Sequence, residues 1–471
     1  MQFFPKLSKA QWALIVLFTI TLPMVKAQVR EDGIAYYGVA RSLVIDHNLQ
    51  FKGDWKTAEL PSMEIKDRFG RITAVHVSKT GHLPVHSAIG ASLLWMPFIA
   101  ATHAAVLALD GLGAHIDDRG FSKLYLVTIA GATCLYAFLG LWMSLSLAKQ
   151  YAEERWAFLA TIALWLGSSL PAYIYVDPAW SHAHSVFAVA LFLWYWNHTR
   201  ERRSAAQWFV LGLISGLMAE VYFPNVVLLL VVASELAAGC FGKARAEMQI
   251  GATIRNCVLY AAAILIALAP TFVIRNVLFG SPLAAGAYGN QPWNWTSPAF
   301  LRILFSPSQG LLTTTPIILP ATIGLFFLAR KDAVLGRGLI ASFFALWALM
   351  AVYPFWNRGP SFGNRYFISL IPAFIIGLAT LLSEGARAWG SANALARRAW
   401  AIAALLIVWN LGLLFQWGSG LMPDVGRVYW DEVLYNQFRV VPGRVLHAFY
   451  SRFSFHADGQ EAAREADAPR S

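Results

Sequence analysis

Two carboxylates, Glu31 and Asp32, stand side by side a few residues past the first apolar run of the chain, "QWALIVLFTITLPMV". Tyr36, Tyr37 and Arg41 follow them in "EDGIAYYGVAR". Three more clusters of ionisable residues come later. Lys79 lies with His82 and His86 in "SKTGHLPVH", and Asp177 with His182 and His184 in "YVDPAWSHAHS". Arg358 lies with Arg365 and Tyr366 in "FWNRGPSFGNRYF". A carboxylate can accept the proton of an attacking hydroxyl, a role worth about 10²- to 10⁴-fold in rate. An arginine meets phosphate oxygens through a planar fork and stays charged throughout. Together these residue types suit a reaction in which a hydroxyl attacks and a phosphate leaves.

Each cluster also has an ordinary reading. Glu31 and Asp32 would serve equally well to end a helix on its wet side. Histidines at i, i+2 chelate a metal only in an extended segment, and interfacial histidines without a metal are commoner. The arginines suit lipid headgroups as well as a substrate phosphate. Asp177 precedes Pro178, which disfavours a helical residue before it, so a plain helix stop fits there. Most Trp and Tyr lie near the ends of apolar runs, as in an ordinary aromatic belt. "NWT" at Asn294 matches a glycosylation acceptor, a short pattern common by chance.

The elements that must position these residues are membrane helices. The 471-residue chain is 57% hydrophobic and 13% charged, against about 45–50% and about 25% for soluble domains. Apolar runs long enough to cross about 30 Å of hydrocarbon lie near 11–27, 121–148, 156–176, 183–198, 207–223, 225–240, 257–278, 311–329, 338–354, 366–382 and 400–417. Helices satisfy their own backbone in lipid, so an all-α, polytopic protein with about eleven spans is predicted.

Charge placement orients those spans. With the N-terminus inside and 85–109 not crossing, the inside loops after residue 148 hold 14 Lys/Arg. The outside loops between 176 and 366 then hold only Arg275, Arg302, Arg358 and Arg365. If 85–109 crossed, the bias would invert against the positive-inside rule. That segment is therefore expected to be re-entrant or to lie along the interface. The net charge of +11 is then topological and does not mark a nucleic-acid binder.

Cys134, Cys240 and Cys257 have no paired spacing and imply neither a disulfide framework nor a zinc site. "VKA" before Gln28 resembles a signal-peptidase site, while "MQFFPKLSKA" fits a retained, inward-anchored helix equally well. One membrane domain over 1–417 is expected. Its first outside loop, 28–120, opens with a surface helix at "DGIAYYGVARSLVI". A polar, aromatic outside segment at 418–454 and a disordered tail at 455–471 complete the chain.

"EDGIAYYGVAR" just after a first membrane helix resembles the opening of the C-type glycosyltransferase superfamily. The likeness is to the branch that holds protein O-mannosyltransferases and lipid A aminoarabinose transferases. Members carry an acidic residue in the first outside loop, then Tyr four residues on and a small residue eight on; here these are Asp32, Tyr36 and Ala40. "SKTGHLPVHSAIG" is a loose counterpart of a Lys-Pro segment before a juxtamembrane helix, and Asp177 matches a second outside acid. The likeness runs over roughly 10–380.

The resemblance implies a sugar donor on a polyprenyl phosphate and a glycan, lipid or protein acceptor. The reaction would take place at the outer face of a bacterial cytoplasmic membrane, with inversion by single displacement. It implies Asp32 as the base, with Glu31 able to share that role. Arg365, Arg358 and Lys79 would hold the lipid phosphate; Tyr36, His82, Asp177, His182, His184 and Tyr366 would shape the sugar pocket. No metal ligand is assigned, and a divalent metal stays open. Two features depart from the branch: relatives often carry Glu where Gly33 stands, and "HLP" replaces Lys-Pro. Two rivals remain. One is a flippase for a lipid-linked glycan, using Glu220 or Glu235; the other is a non-catalytic envelope scaffold.

Overall fold

The computed structural model describes residues 7–49, 64–66, 72–75, 78, 80, 82, 88–241, 249–284, 292–357, 361–423 and 428–447. Its principal helices are α1 Lys9–Thr21, α2 Asp32–Arg41, α3 Gly90–Gly111, α4 Lys123–Ala148, α5 Glu154–Leu166, α6 His182–Thr199 and α7 Ala205–Val221. After them come α8 Leu230–Phe241, α9 Ile250–Phe279, α10 Ile318–Lys331, α11 Ala333–Val352, α12 Ile371–Ala388 and α13 Ala392–Gly418. Each of the eleven predicted runs overlaps one of these helices, with ends that differ by several residues. Among the described residues, 7 helices are long and apolar enough to cross a membrane by length and composition, with shorter apolar helices at Lys9–Met24 and Ala205–Val221. Two short antiparallel strands, Glu64–Lys66 and Ile72–Val75, add a small ribbon to the first long loop.

Local sequence sets the starts and the packing. Ser8 and Gln11 form a capping box at α1, and Ser204 and Gln207 repeat it at α7. Between helices, small residues permit close approach, the packing device available where lipid removes a hydrophobic drive. Gly212 and Gly216 of α7 lie against the α9 backbone at Tyr260 and Ile264, and Gly324 of α10 lies against Gly377 of α12. Pro270 interrupts α9, and the Glu220 carboxylate on α7 accepts the next backbone N–H, from Thr271, at 3.1 Å.

The loops that carry the basic excess meet at one end. Asp332 accepts from Arg200 at 2.5 Å and from Tyr151 at 2.9 Å, and its other oxygen caps the start of α11. Lys149 pairs with Glu154 at 2.6 Å, Arg203 with Glu235 at 3.0 Å and Lys331 with Glu384 at 2.7 Å. A depression of about 740 Å³ between these groups is lined by Tyr151, Arg200, Glu235, Lys331, Asp332 and Arg387. Four of the loops assigned to one side of a membrane from their charge, at 149–155, 200–203, 331–332 and 384–387, are thus neighbours in space.

The other end is built differently, and it corrects one expectation. Residues 90–111 form a single unbroken helix, α3, and not a re-entrant hairpin, although the helix contains Pro97. It runs antiparallel to α4 and meets that helix at residues between Tyr125 and Tyr136. The Trp95 indole N–H donates to Thr133 at 3.1 Å, Tyr136 donates to the Leu94 carbonyl at 3.1 Å, and His103 bonds the Tyr125 hydroxyl at 2.8 Å. Thr133 also donates to the Pro178 carbonyl, just ahead of α6. The first ten residues of α4 therefore project beyond the start of α6, and α3 packs on that projection. α3 is long enough to cross a membrane, but these contacts keep it at the end opposite the ion-pair network.

Candidate functional site

Gln28 and Arg30 lead the chain into α2. The Gln28 amide donates to the Val176 carbonyl at 2.7 Å, and Arg30 grips Asp177 Oδ1 through Nη2 at 2.7 Å and Nε at 3.1 Å. The backbone then turns sharply at Glu31, with φ 49° and ψ −127°, and Gly33 N–H bonds back to the Arg30 carbonyl at 2.9 Å. That is the geometry of a type II′ turn, whose first central position ordinarily takes glycine. The turn leaves Glu31 exposed and makes Asp32 the first residue of α2.

Gly33 lets α2 seat itself. A Cβ there would lie 2.6 Å from the Ala179 Cβ and 2.9 Å from its carbonyl oxygen. A glutamate at this position has no room unless the 178–180 loop moves.

Asp32 and Tyr36, one helical turn apart on the same face, both line a cavity of about 360 Å³. Its wall is gathered from distant stretches: Ala88; His182; Tyr222, Phe223, Pro224 and Val226; Arg275; Trp293; Leu349, Met350 and Tyr353; Arg365 and Tyr366. Arg365 Nη1 lies 3.6 Å from Asp32 Oδ2. Its guanidinium stacks over Trp180 at 4.6 Å and stands 5.4 Å from the Tyr366 ring centre. The Asp32 side chain remains 42% exposed while that of Arg365 is 14% exposed, so the carboxylate is the accessible partner. Tyr36 shares a hydrogen bond with Ser181 at 3.1 Å, and Tyr366 donates to the Phe355 carbonyl at 3.0 Å. His182 sits edge-on between Tyr173, at 4.7 Å, and Tyr222, at 5.4 Å.

The residues singled out from sequence therefore divide. Asp32, Tyr36, His182, Arg365 and Tyr366 come together around one cavity. Glu31 is exposed and does not line it. Asp177 is buried in its pair with Arg30 and does not line the cavity; expected to shape a sugar pocket, it fixes the entry to α2 instead. His184 is buried against Trp95 and Tyr136, away from the cavity. His82 bonds Thr80 at 3.0 Å in a turn held to the end of α9 by Thr80 and the Leu278 carbonyl, outside the cavity lining. Lys79, His86 and Arg358 lie outside the described residues. Among the described residues no group of three His, Cys, Asp or Glu could hold a metal ion.

Sequence reasoning missed Arg275, which it counted only as a loop charge. Its guanidinium lines the cavity 4.9 Å from the Phe223 ring centre. It makes no ion pair among the described residues. The signal available was an arginine in the last turns of an otherwise apolar helix, at the same end as Asp32. Tyr222, Tyr353 and Trp293 were also missed, because aromatics at span ends ordinarily belong to the membrane belt.

Fold and site together define a polytopic helical membrane protein with a polar, aromatic-walled cavity at the end opposite its ion-pair network. No protein-family model matches the chain, and no match is found among curated proteins. Among solved structures, the chain is similar to ArnT from Cupriavidus metallidurans bound to undecaprenyl phosphate, with a TM-score of 0.46 and 13% identity over 92% of this chain and 76% of that one. ArnT from the same organism in the apo state gives a TM-score of 0.47 and 14% identity, over 92% and 77%.

Proposed function

We propose that this protein is a membrane glycosyltransferase that moves a sugar from a polyprenyl-phosphate donor to a hydroxyl of a glycan, lipid or protein. The observation that carries the reading is the cavity. One accessible carboxylate, Asp32, stands beside the largely buried cation Arg365, and a second cation, Arg275, which makes no ion pair among the described residues, lines the same space. The C-type resemblance of "EDGIAYYGVAR" supports the same chemistry at the same residue.

In this mechanism Asp32 accepts the acceptor hydroxyl's proton as the oxygen attacks the anomeric carbon. The bond from that carbon to the phosphate oxygen breaks on the opposite face, and the configuration inverts. The leaving polyprenyl phosphate takes the electron pair and a second negative charge, which Arg275 and Arg365 stabilise where it develops. The charge bias of the loops supports a cytoplasmic N-terminus and a cavity opening at the extracytoplasmic face of a bacterial cytoplasmic membrane.

Glu220 favours this reading over a flippase. A transport path needs polar groups free to meet the substrate, and one oxygen of Glu220 is committed to the Thr271 N–H left by the Pro270 break. The test is mass spectrometry of polyprenyl-phosphate sugars in a deletion strain, the complemented strain and a strain carrying Asp32→Asn. Accumulation of one species in the deletion and Asp32→Asn strains, cleared by wild type, supports the transferase. Clearance by Asp32→Asn at normal protein level removes Asp32 as the base and leaves the scaffold reading in front.

A further inference from the structure

Residues 177–182 form the short connection into α6, and each of the six touches a different part of the site. Asp177 takes Arg30, the Pro178 carbonyl accepts from Thr133 at 2.9 Å, and Ala179 seats Gly33. Trp180 lies against the Arg365 guanidinium, Ser181 bonds Tyr36, and His182 lines the cavity. Three of these contacts fix α2, which carries Asp32, and one fixes Arg365. The separation of carboxylate and cation is thus set within one short loop. We infer that Trp180 is a positioning residue of the site, whose indole face holds Arg365 apart from Asp32 so that the carboxylate stays open to the acceptor hydroxyl and the cation to the donor phosphate. The inference rests on the transferase reading and adds to it the device that keeps its two charges from closing on each other.

A guanidinium and a carboxylate this near ordinarily close into a charge-assisted contact at about 2.7–2.9 Å. Arg30 and Asp177 do so next door, at 2.7 Å. Asp32 and Arg365 stop at 3.6 Å, beyond hydrogen-bond reach. On the Trp180 side, the guanidinium lies 4.6 Å from the indole centre, and tryptophan is the ring that attracts a cation most strongly. The Tyr366 ring stands farther off, at 5.4 Å. The indole is itself held in place. It is buried between the rings of Tyr173, at 5.6 Å, and His182, at 5.9 Å, and its backbone N–H donates to the Asp177 carbonyl at 3.2 Å. Tyr173 in turn donates to the Phe362 carbonyl at 3.1 Å, which ties the ring's neighbour to the loop that carries Arg365. Without the indole, the nearest partner for the guanidinium is Asp32. A closed pair would occupy the base and the phosphate cation at once.

The experiment titrates the purified full-length protein in detergent with undecaprenyl phosphate and reads binding by native mass spectrometry, with an unfolding temperature for each variant. Trp180→Leu is expected to weaken binding by about three- to thirtyfold, the range of a cation–π contact from exposed to desolvated. Trp180→Phe keeps a ring face and should weaken it less; if Trp180→Leu is not made in folded form, Trp180→Phe carries the test. In an Asp32→Asn background the carboxylate that competes for Arg365 is gone, so the same Trp180 substitution should leave affinity unchanged. A loss of equal size in both backgrounds makes Trp180 ordinary packing and overturns the inference. So does wild-type affinity in Trp180→Leu. If the wild-type protein binds no undecaprenyl phosphate, the transferase reading itself fails and takes this inference with it.

Discussion

Glu31 holds a backbone conformation that glycine would adopt at no steric cost, and strain of this kind is worth about 1–3 kcal/mol at a non-glycine residue. Replacing it separates two roles that sequence alone left joined. Glu31→Gly is expected to raise the unfolding temperature of the purified protein in detergent and to leave sugar transfer intact, because Glu31 does not line the cavity. Asp32→Asn is expected to lower transfer by about 10²- to 10⁴-fold without loss of protein. For Arg275→Gln the expected change is weaker donor binding, by about ten- to a hundredfold, the scale of one charged hydrogen bond, read as a raised KM. An unchanged KM would remove Arg275 from the phosphate site. At this scale the sequence was informative about Asp32, Tyr36 and Arg365, whose residue types are unusual beside lipid. It misled at Asp177, where the same spacing served an ion pair with Arg30. A motif reports which residue is present and not which neighbour has claimed it.

Among the elements, the α7–α9 pair carries a sharper test. Glu220 uses one carboxylate oxygen to accept the Thr271 N–H, and the side-chain carbonyl of glutamine can accept it as well. Glu220→Gln should therefore be nearly silent in both stability and transfer. Glu220→Leu should cost about 1–3 kcal/mol, the penalty of orphaning a buried donor, seen as a lower unfolding temperature or poorer yield. A flippase that used Glu220 would lose activity in both variants. The helices themselves were legible because long apolar runs leave few alternatives in lipid. α3 was less so: its composition is that of a span, and only its side-by-side contacts with α4 between Tyr125 and Tyr136 distinguish it. Contacts between distant segments are not written in a hydropathy profile. Gly33 shows the same limit. As a sequence feature it looked like a departure from the family pattern, whereas the fold makes it the residue that lets α2 rest on Ala179.

Across the whole molecule, charge separates the two ends. The ion-pair network around Asp332 and the cavity around Asp32 lie at opposite ends of the bundle, so a membrane-impermeant maleimide should distinguish them. In a cysteine-free background, Asn357→Cys is expected to label in intact cells. Arg337→Cys, exposed in α11 near the network, should label only after the membrane is opened. The reverse pattern would invert the proposed orientation and move the reaction to the cytoplasmic face. The sequence could support this end-to-end division because Lys and Arg counts report on loops directly. It could not foresee that those loops would converge into one network, since pairing depends on helix order in three dimensions.

The cavity wall is drawn from stretches as far apart as Asp32 and Tyr366, with no two neighbouring helices supplying most of it. Evolution and engineering therefore have few useful places to cut. Exchanging one contiguous block with a distant relative would replace a single panel of the wall and leave it mismatched to the rest, so chimeras should lose turnover before they change preference. Changes of preference are expected to arise one side chain at a time, at Tyr222, His182 or Tyr353. Two proteins of this kind could then diverge in the sugar they accept while their helices remain superimposable.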